Sequence, residues 1–116
     1  MSMSLERTRE TLMAYAQAIL ARGAYADYFG DDVVYTVMNN GEETRGRAAV
    51  ERRIDADHGA SRELRLRNLI VGEGQATAEV DFISRDGAVT PYCVTYDLAD
   101  GKITALRLYF AGQVPS

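Results

Sequence analysis

Residues 91–110, PYCVTYDLADGKITALRLYF, decide the fold. They are typical of two strands joined at Asp100-Gly101, a dipeptide common in tight hairpin turns. Alternate residues of a strand share a face, so the hairpin presents one apolar face that other elements must cover. We expect this face to line the wall of a pocket. Its predicted members are Tyr92, Val94, Tyr96, Leu98, Thr104, Leu106, Leu108 and Phe110.

Two registers are open at the turn. A two-residue turn pairs Tyr96 with Ala105 and moves the aromatic stripe to the face of Arg107. A three-residue turn with a glycine bulge pairs Leu98 with Lys102 and keeps the apolar residues together. Because a one-residue slip exchanges whole faces, the pattern favours the second register.

The opposite face of this hairpin carries Arg107 and Tyr109 together with Cys93, Thr95 and Asp97. A face of this semi-polar composition suits either solvent or a second subunit. We predict a homodimer formed through this outer face of the sheet.

Composition bounds the remaining possibilities. The 116 residues form one predicted domain, 1–116, with a net charge of -4 that argues against nucleic acid as a partner. The lone Cys93 excludes an internal disulfide and a zinc site built on several thiolates, and we expect no metal and no cofactor. No stretch predicts a signal peptide or a membrane span, so the expected location is cytoplasmic.

The rest of the chain predicts three helices and three strands. Leu5, Leu12 and Tyr15 recur at helical spacing on one face of the first helix, so Tyr15 is interpreted as a core residue. Ser4 is the expected N-cap of this helix and Gly23 its left-handed end; residues 24–29 form a short second helix. The third helix runs from Arg47 to His58. The strands are predicted over Val33–Met38, Leu64–Val71 and Ala76–Ile83, with a turn at Asn39-Asn40-Gly41.

Helices early and strands late indicate an α+β fold. The expected architecture is three N-terminal helices packed in a strongly curved antiparallel sheet, in which the last four strands form a meander.

Three segments, FGDDVVYTVMNN, GRAAVERRI and DGKITALRLYF, resemble the nuclear transport factor 2-like superfamily. Within it, the likeness is to the SnoaL-like group, which includes polyketide cyclases, ketosteroid isomerases and limonene epoxide hydrolases. The resemblance covers nearly the whole chain. It implies a cystatin-like cone with one open-ended, mostly apolar pocket, and dimers packed through the outer sheet face.

The resemblance to ketosteroid isomerases implies an oxyanion donor at Tyr15. The positions of their two carboxylic acids hold Val37 and Val94, so steroid isomerisation is not expected.

The resemblance to limonene epoxide hydrolases implies that Tyr35 holds a water and that Asp81 is the first catalytic acid. Glu79 replaces the family's arginine, Val37 its asparagine, and Leu108 its second acid, which argues against epoxide chemistry.

Two titratable residues have competing interpretations. Strict alternation makes Asp81 a solvated carboxylate on the outer sheet face, unless a bulge in its strand turns it inward. His58, the single histidine, is interpreted as a surface residue whose protonated form the helix dipole favours. Alternatively, it leans into the mouth of the cone beside Ile54. The pattern places no obvious carboxylate in the pocket.

The sequence therefore predicts a small-molecule pocket protein, with acid–base catalysis of the isomerase, cyclase or hydrolase type on an apolar oxygenated compound. The alternative is a non-catalytic ligand-binding or dimerisation module. The catalytic candidates are Tyr15 and Tyr35 as donors to a developing oxyanion, and His58 or Asp81 as the group that moves the proton. The predicted ligand contacts are Phe29, Val37, Ile54, Tyr92, Val94, Leu106, Leu108 and Phe110.

Overall fold

The computed structural model describes residues 3–112. Its elements, in chain order, are α1 (Leu5–Leu20), a 3-10 turn (Tyr25–Tyr28), β1 (Phe29–Val37), β2 (Glu42–Arg45), α2 (Arg47–Gly59), β3 (Ser61–Val71), β4 (Gln75–Ser84), β5 (Val89–Ala99) and β6 (Lys102–Phe110). The architecture is α+β, with two α-helices against a curved, unclosed sheet of six strands.

Helix α1 begins where the sequence predicts. The Ser4 Oγ accepts a hydrogen bond from the Arg7 N–H at 3.2 Å and so satisfies one of the free donors of the first turn. Leu12 and Tyr15 are buried, as expected from the helical spacing. Leu5, predicted on the same buried stripe, is instead 43% exposed in the first turn.

The chain leaves α1 through a left-handed Arg22 (φ 55°) rather than through Gly23, the predicted left-handed residue. The Gly23 N–H donates to the Ala18 carbonyl at 2.8 Å. The Arg22 guanidinium donates to the carbonyls of His58 (3.1 Å) and Ser61 (3.3 Å). These bonds join the end of α1 to the end of α2 and offset the cost of the left-handed backbone.

The predicted second helix, residues 24–29, is a single 3-10 turn of four residues, Tyr25–Tyr28. The chain is already extended at Phe29, which opens β1. Residues 3–112 therefore contain two α-helices, and the predicted short second helix is present only as this 3-10 turn.

The strand order in the sheet is β2-β1-β6-β5-β4-β3. Strands β3 to β6 form the predicted antiparallel meander. Strand β1 pairs with β6 in parallel, with Tyr35 beside Leu106, so the predicted all-antiparallel sheet is wrong at this pair. Parallel neighbours need a long connection, and α2 with β3 to β5 supplies it.

Strand β2 was not predicted, because its sequence EETR is polar and lacks alternation. It pairs with β1 across the predicted turn at Asn39-Asn40-Gly41. The Asn39 side chain reaches the last strand: its Nδ2 donates to the Phe110 carbonyl at 2.9 Å, and its Oδ1 accepts from the Phe110 N–H at 2.8 Å.

The turn between β5 and β6 contains two residues, not the predicted three. Asp100 (φ 53°) and Gly101 (φ 78°) occupy its centre, and Ala99 pairs with Lys102. Positive φ at both central residues is the type I′ geometry that matches the twist of the flanking strands.

A bulge then restores the predicted faces. Leu98 pairs with Ile103, the register shifts by one residue, and Tyr96 pairs with Leu106. The predicted apolar face is correct from Leu106 onward, but Thr104 is exposed and Ile103 is fully buried in its place.

Side chains from α1 and α2 meet those of β5 and β6 on one face of the sheet, and this face holds most of the core. Within residues 3–112, neither helix is long and apolar enough to cross a membrane.

Candidate functional site

A cavity of about 310 Å³ lies between the two helices and the inner face of the sheet. This volume is at the lower end of the range for small-molecule sites. Most of its wall is apolar or aromatic. The lining residues are Tyr15, Ile19, Tyr35, Arg53, Ile54, Ala56, Asp57, His58, Ala60, Leu64, Phe82, Tyr92, Val94, Tyr96, Leu106, Leu108 and Phe110.

The predicted ligand contacts divide into two groups. Ile54, Tyr92, Val94, Leu106, Leu108 and Phe110 line the cavity. Phe29 and Val37 do not: both are fully buried core residues. Phe29 packs against Tyr15 and Tyr25, with ring centroids 5.6 and 6.0 Å apart, and is therefore separated from the cavity by other aromatic rings.

Asp57 is a carboxylate at the cavity wall that sequence reasoning missed. Its Oδ2 accepts hydrogen bonds from the Tyr35 hydroxyl at 3.0 Å and from the Arg53 Nε at 3.4 Å. Asp57 lies three residues after Ile54 on α2, so helical spacing places both on the same side of the helix. A predicted cavity-facing side of α2 that included the residue before His58 would have contained Asp57.

Arg53 fixes the position of the Asp57 carboxylate through the hydrogen bond that its Nε donates. Its guanidinium also pairs with Glu42 of β2 and lies 5.4 Å from the centre of the Tyr35 ring. Burial lowers the pKa of Arg53, but Asp57 and the other partners outweigh it and the net shift is upward. The arginine is thus a fixed cation shared between two carboxylates and an aromatic face.

The hydroxyl of Tyr35 is committed to Asp57 and is not the free oxyanion donor that the sequence predicts. Burial and the Asp57 charge raise the pKa of Tyr35, so the hydroxyl keeps its proton at neutral pH. The hydrogen bond from Tyr35 therefore orients the Asp57 carboxylate, and a hydrogen bond to a ligand would come from another tyrosine.

His58 lies at the cavity wall and is only 9% exposed. Burial lowers the pKa of its imidazole, the Arg22 charge lowers it further, and Asp55 and Asp57 partly offset these effects. The surface interpretation is wrong, as is the expectation that the helix dipole favours the protonated form, because loss of hydration dominates. The imidazole is consequently neutral at pH 7.

Tyr15 and Tyr92 bring two more hydroxyls to the wall. Burial raises the pKa of both, and for Tyr92 the Asp57 charge adds to the rise. Tyr92 lines the cavity, and because its pKa is raised its hydroxyl keeps its proton at neutral pH. It is therefore a protonated donor available to a ligand.

Asp81 does not line the cavity. It lies on the outer side of β4, as alternation predicts, but it is 2% exposed rather than solvated. Its Oδ2 accepts a hydrogen bond from the Arg67 Nη1 at 2.8 Å. The register shift that accompanies this pair falls at Arg67 in β3, so the carboxylate keeps its outward direction.

The outer face of the hairpin has the predicted members. Cys93 pairs with Tyr109 and Thr95 with Arg107, whose guanidinium donates to Asp97 at 2.7 Å. Tyr109 is 45% exposed. Dimerisation through this face remains a prediction.

A curved sheet that encloses two helices and an internal cavity is the architecture of the nuclear transport factor 2-like superfamily. A model of the SnoaL-like domain matches residues 11–106, and the chain belongs to this family. Among curated proteins, no match is found.

Solved structures share the fold. A protein of Kribbella flavida DSM 17836, named as a candidate ketosteroid isomerase, superimposes with a TM-score of 0.82 at 18% identity, covering 97% of this chain and 83% of that one. A protein of unknown function from Burkholderia xenovorans LB400 gives 0.82 at 22% identity, covering 96% and 88%. A candidate polyketide cyclase from Xanthomonas campestris pv. campestris gives 0.75 at 21% identity, covering 92% of each chain. At these identities the likeness concerns the fold alone.

Proposed function

We propose that this chain binds an apolar, oxygen-bearing small molecule in the cavity and performs cofactor-free acid–base chemistry on it. One observation carries the proposal. His58 and Asp57 are adjacent on α2, and both line a cavity whose other walls are mainly apolar and aromatic. A few convergent polar groups in an apolar pocket are the usual composition of a small-molecule site.

His58 is the proposed base. Because burial lowers its pKa, the imidazole is neutral at pH 7 and free to accept a proton. Asp57 raises the pKa of His58 and so stabilises the imidazolium that forms. A well-placed general base contributes about 10²–10⁴-fold to a rate.

Tyr92 is the proposed donor to the oxygen of the ligand, with Tyr15 as a second donor. When His58 removes a proton from a carbon next to a carbonyl, the electron pair moves to the carbonyl oxygen, which Tyr92 stabilises by donating a hydrogen bond. Return of the proton to another carbon is an isomerisation. Attack of the carbanion on a second carbonyl of the same molecule is a cyclisation, in which the oxygen of that carbonyl takes the proton back from His58. If His58 instead takes a proton from water, the hydroxide adds to a lactone carbonyl, the ring C–O bond breaks, and the leaving alkoxide takes the proton from His58, which is a hydrolysis.

A ligand screen by thermal shift, repeated on variants, tests the assignment. We expect hits among apolar ketones and lactones, weaker binding in Tyr92→Phe, and loss of turnover with retained binding in His58→Gln. Tyr109→Phe removes the same hydroxyl from the outer face and is the matched control. Hits whose binding and turnover are unchanged in both site variants would rule out these roles.

A non-catalytic binding module is the second candidate, and the Asp57 contacts favour it. Two donors already occupy one oxygen of this carboxylate, an arrangement suited to fixing a bound group rather than to moving a proton. Ligands that bind wild type and exchange no carbon-bound hydrogen for deuterium from the solvent would support this candidate over catalysis.

A further inference from the structure

A second, smaller cavity of about 50 Å³ adjoins the main one. Six residues line both, namely Tyr15, Ile19, Leu64, Tyr92, Val94 and Tyr96, so the two spaces meet along a common wall. The smaller space extends between α1 and the edge strand β3. We call it the side branch.

Two small residues contribute to the wall of the side branch. Ala16 of α1 and Ala78 of β4 both line it, and a larger side chain at either position would close it. Leu64 lines both spaces, whereas Leu66 and Leu69, farther along β3 and half-buried, line the branch alone. The branch therefore extends from the main cavity along α1 and β3 towards Leu12, which is buried.

Polarity differs sharply between the two spaces. Arg53, Asp57 and His58 line the main cavity, and none of them lines the side branch. Apart from the shared tyrosines, the walls of the branch are hydrocarbon. Such a lining offers no hydrogen-bond partner to a polar group and favours apolar atoms.

We propose that the ligand is elongated, with an oxygen-bearing head at His58 and Tyr92 and a short alkyl tail in the side branch. The inference rests on the proposed function and adds the substrate class: an amphipathic molecule rather than a compact one. Tyr15 and Tyr96 line both spaces, and their rings are in edge contact with centroids 5.7 Å apart, so the tail would pass beside this pair rather than between the rings.

A series of ketones with alkyl chains of increasing length measures how much the tail contributes to the affinity. The probes are cyclohexanone and its 4-methyl, 4-ethyl and 4-propyl derivatives, with Kd measured by calorimetry or ligand-observed NMR. In wild type, each added methylene that enters the branch tightens binding by up to about fourfold. Ala16→Phe fills the branch, so it abolishes this gain while the Kd of cyclohexanone itself stays unchanged.

Two further variants keep the test decisive. Gln17→Phe adds the same ring to the neighbouring, exposed position of α1 and should leave the gain intact. Leu66→Ala enlarges the branch, and longer tails should then bind more tightly than in wild type. This variant tests the inference even where Ala16→Phe does not fold.

The outcomes separate the two proposals. If cyclohexanone binds and its affinity is independent of tail length, or if the gain survives in Ala16→Phe, the tail inference is wrong and the proposed function stands. If no member of the series binds wild type, the proposed function fails and the tail inference fails with it.

Discussion

Two aspartates on opposite faces of the sheet show how little a motif match says about a role. Asp81 is the acid that the resemblance to epoxide hydrolases selects, yet it lies on the outer face, buried under Arg67. Asp57 matches no motif that the sequence suggested, yet it lies at the cavity wall beside His58. The direction of a side chain from its strand or helix, rather than its identity, decides which carboxylate meets a ligand.

The same contrast separates two phenylalanines that the sequence treats alike, and it gives the largest expected effect. Phe29→Ala should lower the free energy of unfolding by about 3–5 kcal/mol, because Phe29 is fully buried among aromatic rings. Phe110→Ala, in the half-buried cavity wall, should cost less stability and weaken ligand binding. Urea titration measures the first effect and ligand Kd the second; equal stability losses would contradict the distinction.

Replacing each aspartate by asparagine distinguishes an aspartate that stabilises the fold from one that affects ligand binding. Asp81→Asn should lower the free energy of unfolding by about 1–3 kcal/mol, since the buried carboxylate charge that pairs with Arg67 is lost, and should leave ligand affinity unchanged. Asp57→Asn should change stability by less than about 1 kcal/mol, because its ion pair with Arg53 is partly exposed and the amide oxygen can still accept the Tyr35 hydrogen bond, but should alter ligand affinity. The reverse pattern would show that the outer acid belongs to the site.

The pH dependence of the free energy of unfolding tests whether the histidine at the cavity wall is neutral. Because the folded-state pKa of His58 lies below the unfolded value of about 6.5, the unfolded chain binds more protons between these two values. The contribution of neutral His58 to the free energy of unfolding is fully present above about pH 6.5. It is lost as the pH falls through the folded-state pKa, with a slope of at most about 1.4 kcal/mol per pH unit.

His58→Gln should flatten this part of the stability profile. The measurement is a set of urea titrations between about pH 5 and pH 7, above the range in which ordinary carboxylates titrate. Identical profiles for the variant and wild type would mean that His58 is not buried as described.

The smallest effect concerns Glu42, at the outer end of the ion pairs that reach Asp57. Glu42→Gln should change the free energy of unfolding by less than about 1 kcal/mol, because the pair is exposed and Arg53 keeps its contact with Asp57. Ligand affinity should not change. A loss of affinity comparable to that of Asp57→Asn would show that β2 belongs to the site.

Local periodicity predicted much of the fold. The spacing of Leu12 and Tyr15 and the cap at Ser4 are determined by neighbours in sequence, and both are confirmed. The alternation of the last hairpin is confirmed from Leu106 onward, but not at Thr104. The pairing of β1 with β6 was missed, because it joins strands that are distant along the chain and leaves no local pattern. The polar edge strand β2 was missed for a related reason: nothing in EETR alternates.

The site was harder to predict than the fold. Tyr15 and Tyr92 were predicted at the wall because they lie on apolar faces, and both line the cavity. Asp57 was missed because α2 carries many charged residues, and the helical pattern alone did not distinguish this carboxylate from the others. The burial of His58 depends on Arg22 and the loop after α1, which the helix pattern does not contain.

A proton NMR titration of the single histidine tests the central claim most directly. The imidazole signals of wild type are unambiguous, because the chain has one histidine. Burial at the cavity wall predicts a pKa for His58 below the 6.5 of an exposed histidine, and a higher pKa in Arg22→Gln, which removes the neighbouring charge. A value at or above 6.5 in wild type would contradict a neutral histidine at the cavity wall.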